Sequence, residues 1–78
     1  MLKQNLMKNM DNNVMNKIET RQEYNTKILD ELSDIITNYP SLRFCQILSI
    51  LRCDGDNFNE EPEDTYNRIK EYRKNYNL

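Results

Sequence analysis

Tyr39-Pro40-Ser41-Leu42-Arg43-Phe44-Cys45-Gln46-Ile47-Leu48-Ser49-Ile50-Leu51 is the densest apolar run in an otherwise polar, asparagine-rich chain of 78 residues. Wound as a helix at about 100° per residue, it places Arg43, Gln46, Ser49 and Arg52 on one narrow stripe. Leu42, Phe44, Cys45, Ile47, Leu48, Ile50 and Leu51 cover the rest. Such a helix needs other elements wrapped around it. Ser41 is a suitable N-cap, so the spacing predicts a helix over residues 42–52. Pro40 disfavours helical geometry at Tyr39 and closes whatever precedes it. The turn between is short, which puts the neighbouring helices together as a hairpin or a corner.

Upstream, Tyr24, Ile28, Leu32, Ile35 and Tyr39 follow one another at helical spacing, with Leu29 and Ile36 widening the stripe. Thr20-Arg21-Gln22-Glu23 has the form of a capping box, in which the hydroxyl and the carboxylate satisfy each other's backbone amides. It favours a fresh helix over residues 20–39 rather than one bent helix from the start of the chain. Before it, Leu2, Leu6, Met10, Val14 and Ile18 repeat every four residues, flanked by Met7 and Met15. That is a second amphipathic pattern, weakened by Asn5, Asn9, Asn12, Asn13 and Asn16, which compete for backbone hydrogen bonds. The expected organisation is an N-terminal helical extension over residues 1–19 and a helical domain over residues 20–78.

Downstream, Asp54-Gly55-Asp56-Asn57 is a strong turn signal holding the only glycine of the chain. Phe58 is the one apolar residue of this loop and is expected to plug the edge of the domain. Pro62, Glu63 and Asp64 suit the first turn of a last helix over residues 62–76. Its stripe is Tyr66, Ile69, Tyr72 or Arg73, and Tyr76. No period-two alternation marks a strand. The reading is an all-α fold: a small three-helix domain with an additional N-terminal helix.

Composition narrows function. Eleven bases against thirteen acids give a formal net charge of −2, which argues against non-specific binding of nucleic acid by the whole molecule. Six acids and no base lie between Asp54 and Asp64, whereas Arg68, Lys70, Arg73 and Lys74 face a single Glu71 after them. The arrangement matches a helix macrodipole. Cys45 and Cys53 are eight apart, about 12 Å along one helix and too far for a disulfide there. With no membrane-length apolar run and no secretory pattern, the chain reads as cytoplasmic, without a membrane partner.

Histidine is absent, and with it the commonest general base and transition-metal ligand. Two distant cysteines do not make a zinc site, and one glycine cannot form a phosphate-cradling loop. Counted as a calcium loop from Asp54, the chain offers Phe58 at the fifth position, Asn59 at the sixth and Thr65 at the twelfth, which fails the EF-hand pattern. No cofactor, metal or catalytic residue is expected, and the chain reads as a non-enzyme. Arg68, Lys70, Arg73 and Lys74, interleaved with Tyr66, Tyr72 and Tyr76, form the candidate nucleic-acid surface. Some nine residues separate the last two helices, too many for a helix-turn-helix.

Three blocks carry a resemblance: Arg21-Gln22-Glu23-Tyr24-Asn25, then Tyr39-Pro40-Ser41-Leu42-Arg43-Phe44-Cys45-Gln46-Ile47-Leu48, then Phe58-Asn59-Glu60-Glu61-Pro62-Glu63-Asp64-Thr65-Tyr66-Asn67-Arg68-Ile69. Over the last three quarters of its length the chain resembles small proteins of prophages and mobile elements of low-GC Gram-positive bacteria. The resemblance carries no catalytic residue across. It implies a phage accessory protein that binds a host protein, with a CRISPR effector or other defence component as the sharp form. Residues 1–19 lie outside it.

The functional expectation is therefore a non-enzymatic protein-binding module, anti-CRISPR-like in its sharpest form. The alternatives are a nucleic-acid-binding or transcription-linked accessory protein and a structural oligomerisation module, with a homodimer compatible with each. The candidate partner contacts are Leu6, Met7, Met10 and Met15 on the extension, with Arg43, Glu60 and Glu61 on the domain. Arg43 is expected to meet Glu60, Glu61 or Glu63, since an arginine beside a buried helix is best stabilised by a carboxylate.

Overall fold

A computed structural model describes residues 12–78, with side chains from residue 15 onward. Leu6, Met7 and Met10, and most of the expected N-terminal helix, lie outside the described residues. The rest is all-α: α1 (Asn12–Asn38), α2 (Phe44–Ile50) and α3 (Pro62–Asn75).

Helix α1 is one unbroken helix, which corrects the expectation of a fresh start at Thr20. A cap requires the chain to leave helical geometry, and nothing between Asn12 and Asn38 forces that, since neither glycine nor proline occurs there. The Glu23 carboxylate of the supposed box is engaged along the helix instead. The Glu23 carboxylate lies 3.5 Å from Lys27 Nζ, one turn on, and the Thr26 hydroxyl donates to the Gln22 carbonyl at 3.0 Å. The helix stops where expected. Tyr39 still donates its amide to the Ile35 carbonyl at 2.9 Å, and the Leu42 amide closes the Pro40-Ser41 turn on the Tyr39 carbonyl at 3.0 Å.

Helix α2 is shorter than residues 42–52. Its N-cap is Arg43 and not Ser41, with extended backbone at φ −79° and ψ 151°. The Arg43 amide donates to Gln46 Oε1 at 2.8 Å, so Gln46 satisfies an amide that the helix leaves free. At the other end the Cys53 amide reaches the Leu48 carbonyl at 2.8 Å and the Arg52 amide reaches that of Ser49 at 3.0 Å. This is a Schellman closure with Arg52 in the left-handed region, φ 57°, where glycine is usual. Helix α3 ends in the same way. Asn77 sits at φ 56°, the Leu78 amide reaches Arg73 O at 2.7 Å, and the Asn77 amide reaches Lys74 O at 3.3 Å.

Helix α3 begins with Pro62, Glu63 and Asp64 and finishes with Arg73 and Lys74, each sign at the end its dipole favours. It runs parallel to α1. Contacts climb both helices together, from Arg21 with Glu61, through Tyr24 with Tyr66 and Asp34 with Arg73, to Tyr39 with Asn77. Helix α2 and the loop after it return the chain so that this parallel pairing can form.

Ile35, Ile47, Leu51 and Ile69 form the fully buried core, with Ile28, Leu32, Tyr39, Leu42, Cys53 and Tyr72 packed around them. Helix α2 is not wrapped, contrary to the expectation from its composition. Two turns packed on two neighbours bury one stripe, so Ile47 is covered while Phe44 remains 54% exposed and Cys45 lies on the surface. Phe58 is no plug either: it is 92% exposed.

Candidate protein interface

Arg68 organises the loop between α2 and α3. From the second turn of α3 its Nη1 donates to the carbonyls of Leu51 and of Arg52, the latter at 2.7 Å. These oxygens lie at the end of α2, where carbonyls lack intrahelical partners and attract a cation. Its other nitrogens form a fork on Glu60, with Nη2 to Oε1 at 2.5 Å and Nε to Oε2 at 3.2 Å. The Thr65 hydroxyl adds a bond to Glu60 Oε1 at 2.6 Å. Arg68 first, and Thr65 after it, hold the Glu60 carboxyl below the usual glutamate range. One guanidinium thus fastens both ends of the loop that carries Phe58.

Glu61 points the other way, accepting from Arg21 Nε at 2.9 Å and Nη2 at 2.8 Å across to α1. That bidentate bond lowers the Glu61 pKa, with the charges of Arg21 and Lys17 acting in the same direction. The expected pairing of Arg43 with Glu60, Glu61 or Glu63 is therefore corrected. Arg43 takes part in none of the ion pairs among the described residues and lies exposed at the start of α2.

Arg68 and Arg73 of α3 are turned inward to a degree that the sequence does not reveal. Arg73 reaches Glu31 at 3.1 Å, Asp34 at 2.6 Å and the backbone oxygen of Leu78 at 2.7 Å. Lys70 lies 3.7 Å from Glu31 and 6.0 Å from the centre of the Tyr66 ring. Tyr66 packs tilted against Tyr24 at 5.7 Å, and Lys27 caps Tyr24 at 4.6 Å. Of the four candidate nucleic-acid contacts, Lys74 alone has no ion pair among the described residues. Tyr66, Lys70 and Arg73 join α3 to α1, and Arg68 joins α3 to the end of α2 and the loop after it.

Among the surface depressions, two lie over charged residues. One, of about 900 Å³, is lined by Glu31, Asp34, Lys70, Arg73 and Lys74, of which the first four are paired with one another. A smaller one of about 240 Å³ lies over Lys17, Arg21, Glu61 and Pro62. Among the described residues no group of three or more acidic or cysteine side chains is placed to hold a metal. No helix among them is long and apolar enough to cross a membrane.

Large apolar side chains also lie open on the surface. Leu29, Ile36, Phe44, Phe58 and Tyr76 are all about half or more exposed. Arg43 is next to Phe44, and the exposed acids Asp54 and Asp56 precede Phe58 in the loop. Met15, the one described methionine of the expected contact set, is half-buried on α1. Sequence alone conceals Phe44 and Phe58: Phe44 stands in an apolar run that reads as core, and Phe58, the one apolar residue of a polar loop, reads as an anchor. No family model, no curated protein and no solved structure matches this chain.

Proposed function

We propose that this protein acts by stoichiometric binding of another protein, without catalysis, through Phe44 and Phe58 with Arg43 and the Asp54–Asp56 turn beside them. The observation that carries the reading is the distribution of apolar side chains. Among the described residues five large ones are exposed while four are fully buried, and Phe58 stands 92% exposed on a loop pinned at both ends. An exposed aromatic on a rigid support is the kind of group that supplies most of the energy of a protein contact, since little side-chain entropy is lost on docking. The engagement of Arg68 and Arg73 within the fold weighs against the nucleic-acid alternative.

The resemblance to prophage and mobile-element proteins suggests a host protein as partner, with inhibition of a defence component such as a CRISPR effector as the sharp form. Glu60 and Glu61 then support the contact by fixing the loop, and Arg43 touches the partner directly. The test is an affinity capture of the full-length protein from nuclease-treated host lysate beside its Phe44→Ser/Phe58→Ser variant. One host protein held at a fixed ratio by the first and lost by the second supports the proposal. Equal retention by both, or salt-sensitive binding of nucleic acid alone, overturns it. Point substitutions are preferable to removing residues 1–19, because α1 runs unbroken through that boundary.

A further inference from the structure

We infer that Phe58 anchors the protein in an apolar pocket rimmed by arginine and lysine, so that the contact surface of the partner is basic. This rests on the reading that the protein works by binding another protein, and it names the chemistry of that partner.

Phe58 is held outward by bonds that its own side chain does not make. The Glu60 amide donates to the Asn57 carbonyl at 3.1 Å, which closes a four-residue turn with Phe58 at its first corner. Before the turn, the Asn57 amide donates to the Gly55 carbonyl at 3.0 Å. After it, the Glu60 carboxylate is locked on Arg68 and Thr65. Folding the ring back onto the core would undo this turn, and the ring stays 92% exposed. A ring fixed in this way loses little freedom on docking.

Charge selects what can receive it. Of the acids from Asp54 to Asp64, Glu60 is taken up by Arg68 and Glu61 by Arg21, and Glu63 shares the smaller depression with Lys17 and Arg21. Asp54, Asp56 and Asp64 are exposed and take part in none of the ion pairs among the described residues. They lie four and two residues before Phe58 and six after it, and no base stands between Arg52 and Arg68. Even a fully extended backbone would keep all three within about 22 Å of Phe58, and a standard contact patch is roughly 30 Å across. Arg52, exposed beside Asp54, is the one opposing charge on this stretch.

A pocket with an acidic rim would repel these carboxylates, and one with an apolar rim would strip their water without return. A basic rim compensates them. Arginine does so twice, since its plane stacks on an aromatic ring while its edge donates to carboxylates. The same three carboxylates repel phosphate, which excludes nucleic acid as the occupant of this loop. Phe44 stands in the opposite setting, next to the exposed Arg43, and serves as the internal contrast.

The test separates nuclease-treated host lysate on a cation exchanger at neutral pH into a retained, basic fraction and an unretained one, and offers each to the immobilised full-length chain. One protein should be captured at a fixed ratio from the basic fraction and lost with Phe58→Ser. With that protein purified, association with the parent should slow by at least about tenfold between about 50 and about 500 mM salt. Asp54→Asn/Asp56→Asn/Asp64→Asn should associate about tenfold more slowly than the parent at the lower salt and lose most of the salt dependence, whereas Phe58→Ser should chiefly raise the dissociation rate. Arg43→Gln, which removes a charge of the other sign, should not slow association. All four side chains changed in the carboxamide and serine variants are exposed, so their far-UV helical signal should match that of the parent. Capture from the unretained fraction alone overturns the basic partner and leaves stoichiometric binding standing, and capture from neither fraction overturns both. Capture from the basic fraction that survives Phe58→Ser is charge attraction without an anchor, and association unchanged by the carboxamide variant is an anchor without charge selection; either result overturns the inference.

Discussion

Replacing Arg68 by alanine should destabilise the domain more than any other single surface-reaching substitution. The guanidinium donates to the Leu51 and Arg52 carbonyls and holds Glu60 through two bonds at 2.5 and 3.2 Å. Leu51 is fully buried, so water reaches its carbonyl poorly once the arginine is gone. Hydrogen bonds to a charged group are each worth about 1.5–3 kcal/mol, yet the four share one side chain and those to Arg52 and part of Glu60 can be replaced by water. A net cost of about 2–3 kcal/mol follows. For a chain of this size that lowers Tm by roughly 10–20 °C. Arg68→Lys keeps the charge but loses the fork and should cost about half as much. Thermal and urea unfolding give the totals, and a double-mutant cycle with Glu60→Gln should return a coupling of about 1 kcal/mol or more. Hydrogen exchange supplies the local signature, since the Cys53 amide that closes α2 on Leu48 should lose protection. A loss below about 0.5 kcal/mol for Arg68→Ala, or a coupling of zero, would refute the clamp.

Three further outcomes follow from the same structure. Arg52→Gly should raise stability by about 0.5–1 kcal/mol in urea unfolding, because φ 57° is strained for a side chain and free for glycine; a loss would mean that the Arg52 side chain contributes more than its backbone costs. Ile69→Ala removes a fully buried side chain and should cost about 3–4 kcal/mol, leaving a partly unfolded population at 25 °C visible by circular dichroism. Glu60→Gln should flatten the acid limb of the stability curve. The folded-state pKa of Glu60 is depressed by Arg68 and Thr65, so its contribution is fully present above the ordinary glutamate value of 4.5 and is lost as pH falls through the lower folded value. The parent should therefore lose stability more steeply than the variant below about pH 4.5, and parallel curves there would contradict the assignment.

What the sequence made legible is what depends on neighbours along the chain. Pro40 ended α1 within a residue of the expected place, and Pro62 with its two acids opened α3. Ile35, Ile47, Leu51 and Ile69, all on apolar stripes, are the core. The capping box at Thr20 misled because a local cap competes with helix propagation. Propagation adds one hydrogen bond for each residue fixed, and no breaker in α1 opposed it. Arg52 and Asn77 end their helices in the left-handed region without a glycine to announce it. Asn77 belongs to a residue type that tolerates this conformation, and Arg52 does not.

The interactions that decide which surface is free were illegible for a different reason. Arg21 and Glu61 are forty residues apart, Arg73 and Asp34 thirty-nine, and Tyr39 and Asn77 thirty-eight. This near-constant offset exists because α1 and α3 are parallel and in one register, which the length of α2 and its loop sets. A reader of residue types cannot know that register, and so cannot know that Arg73 of the basic helix will find Glu31 and Asp34 on α1. Once it is known, the assignment of surfaces changes sign. Arg68 and Arg73 are engaged within the fold, and the side chains open to a partner include large apolar ones that pattern alone assigns to the core or its edge: Phe44, Phe58, Leu29 and Ile36. In a chain this short, three helices cannot enclose every apolar stripe that they carry. The stripes left over on α1 and α2 are where association must act if these residues are to be covered.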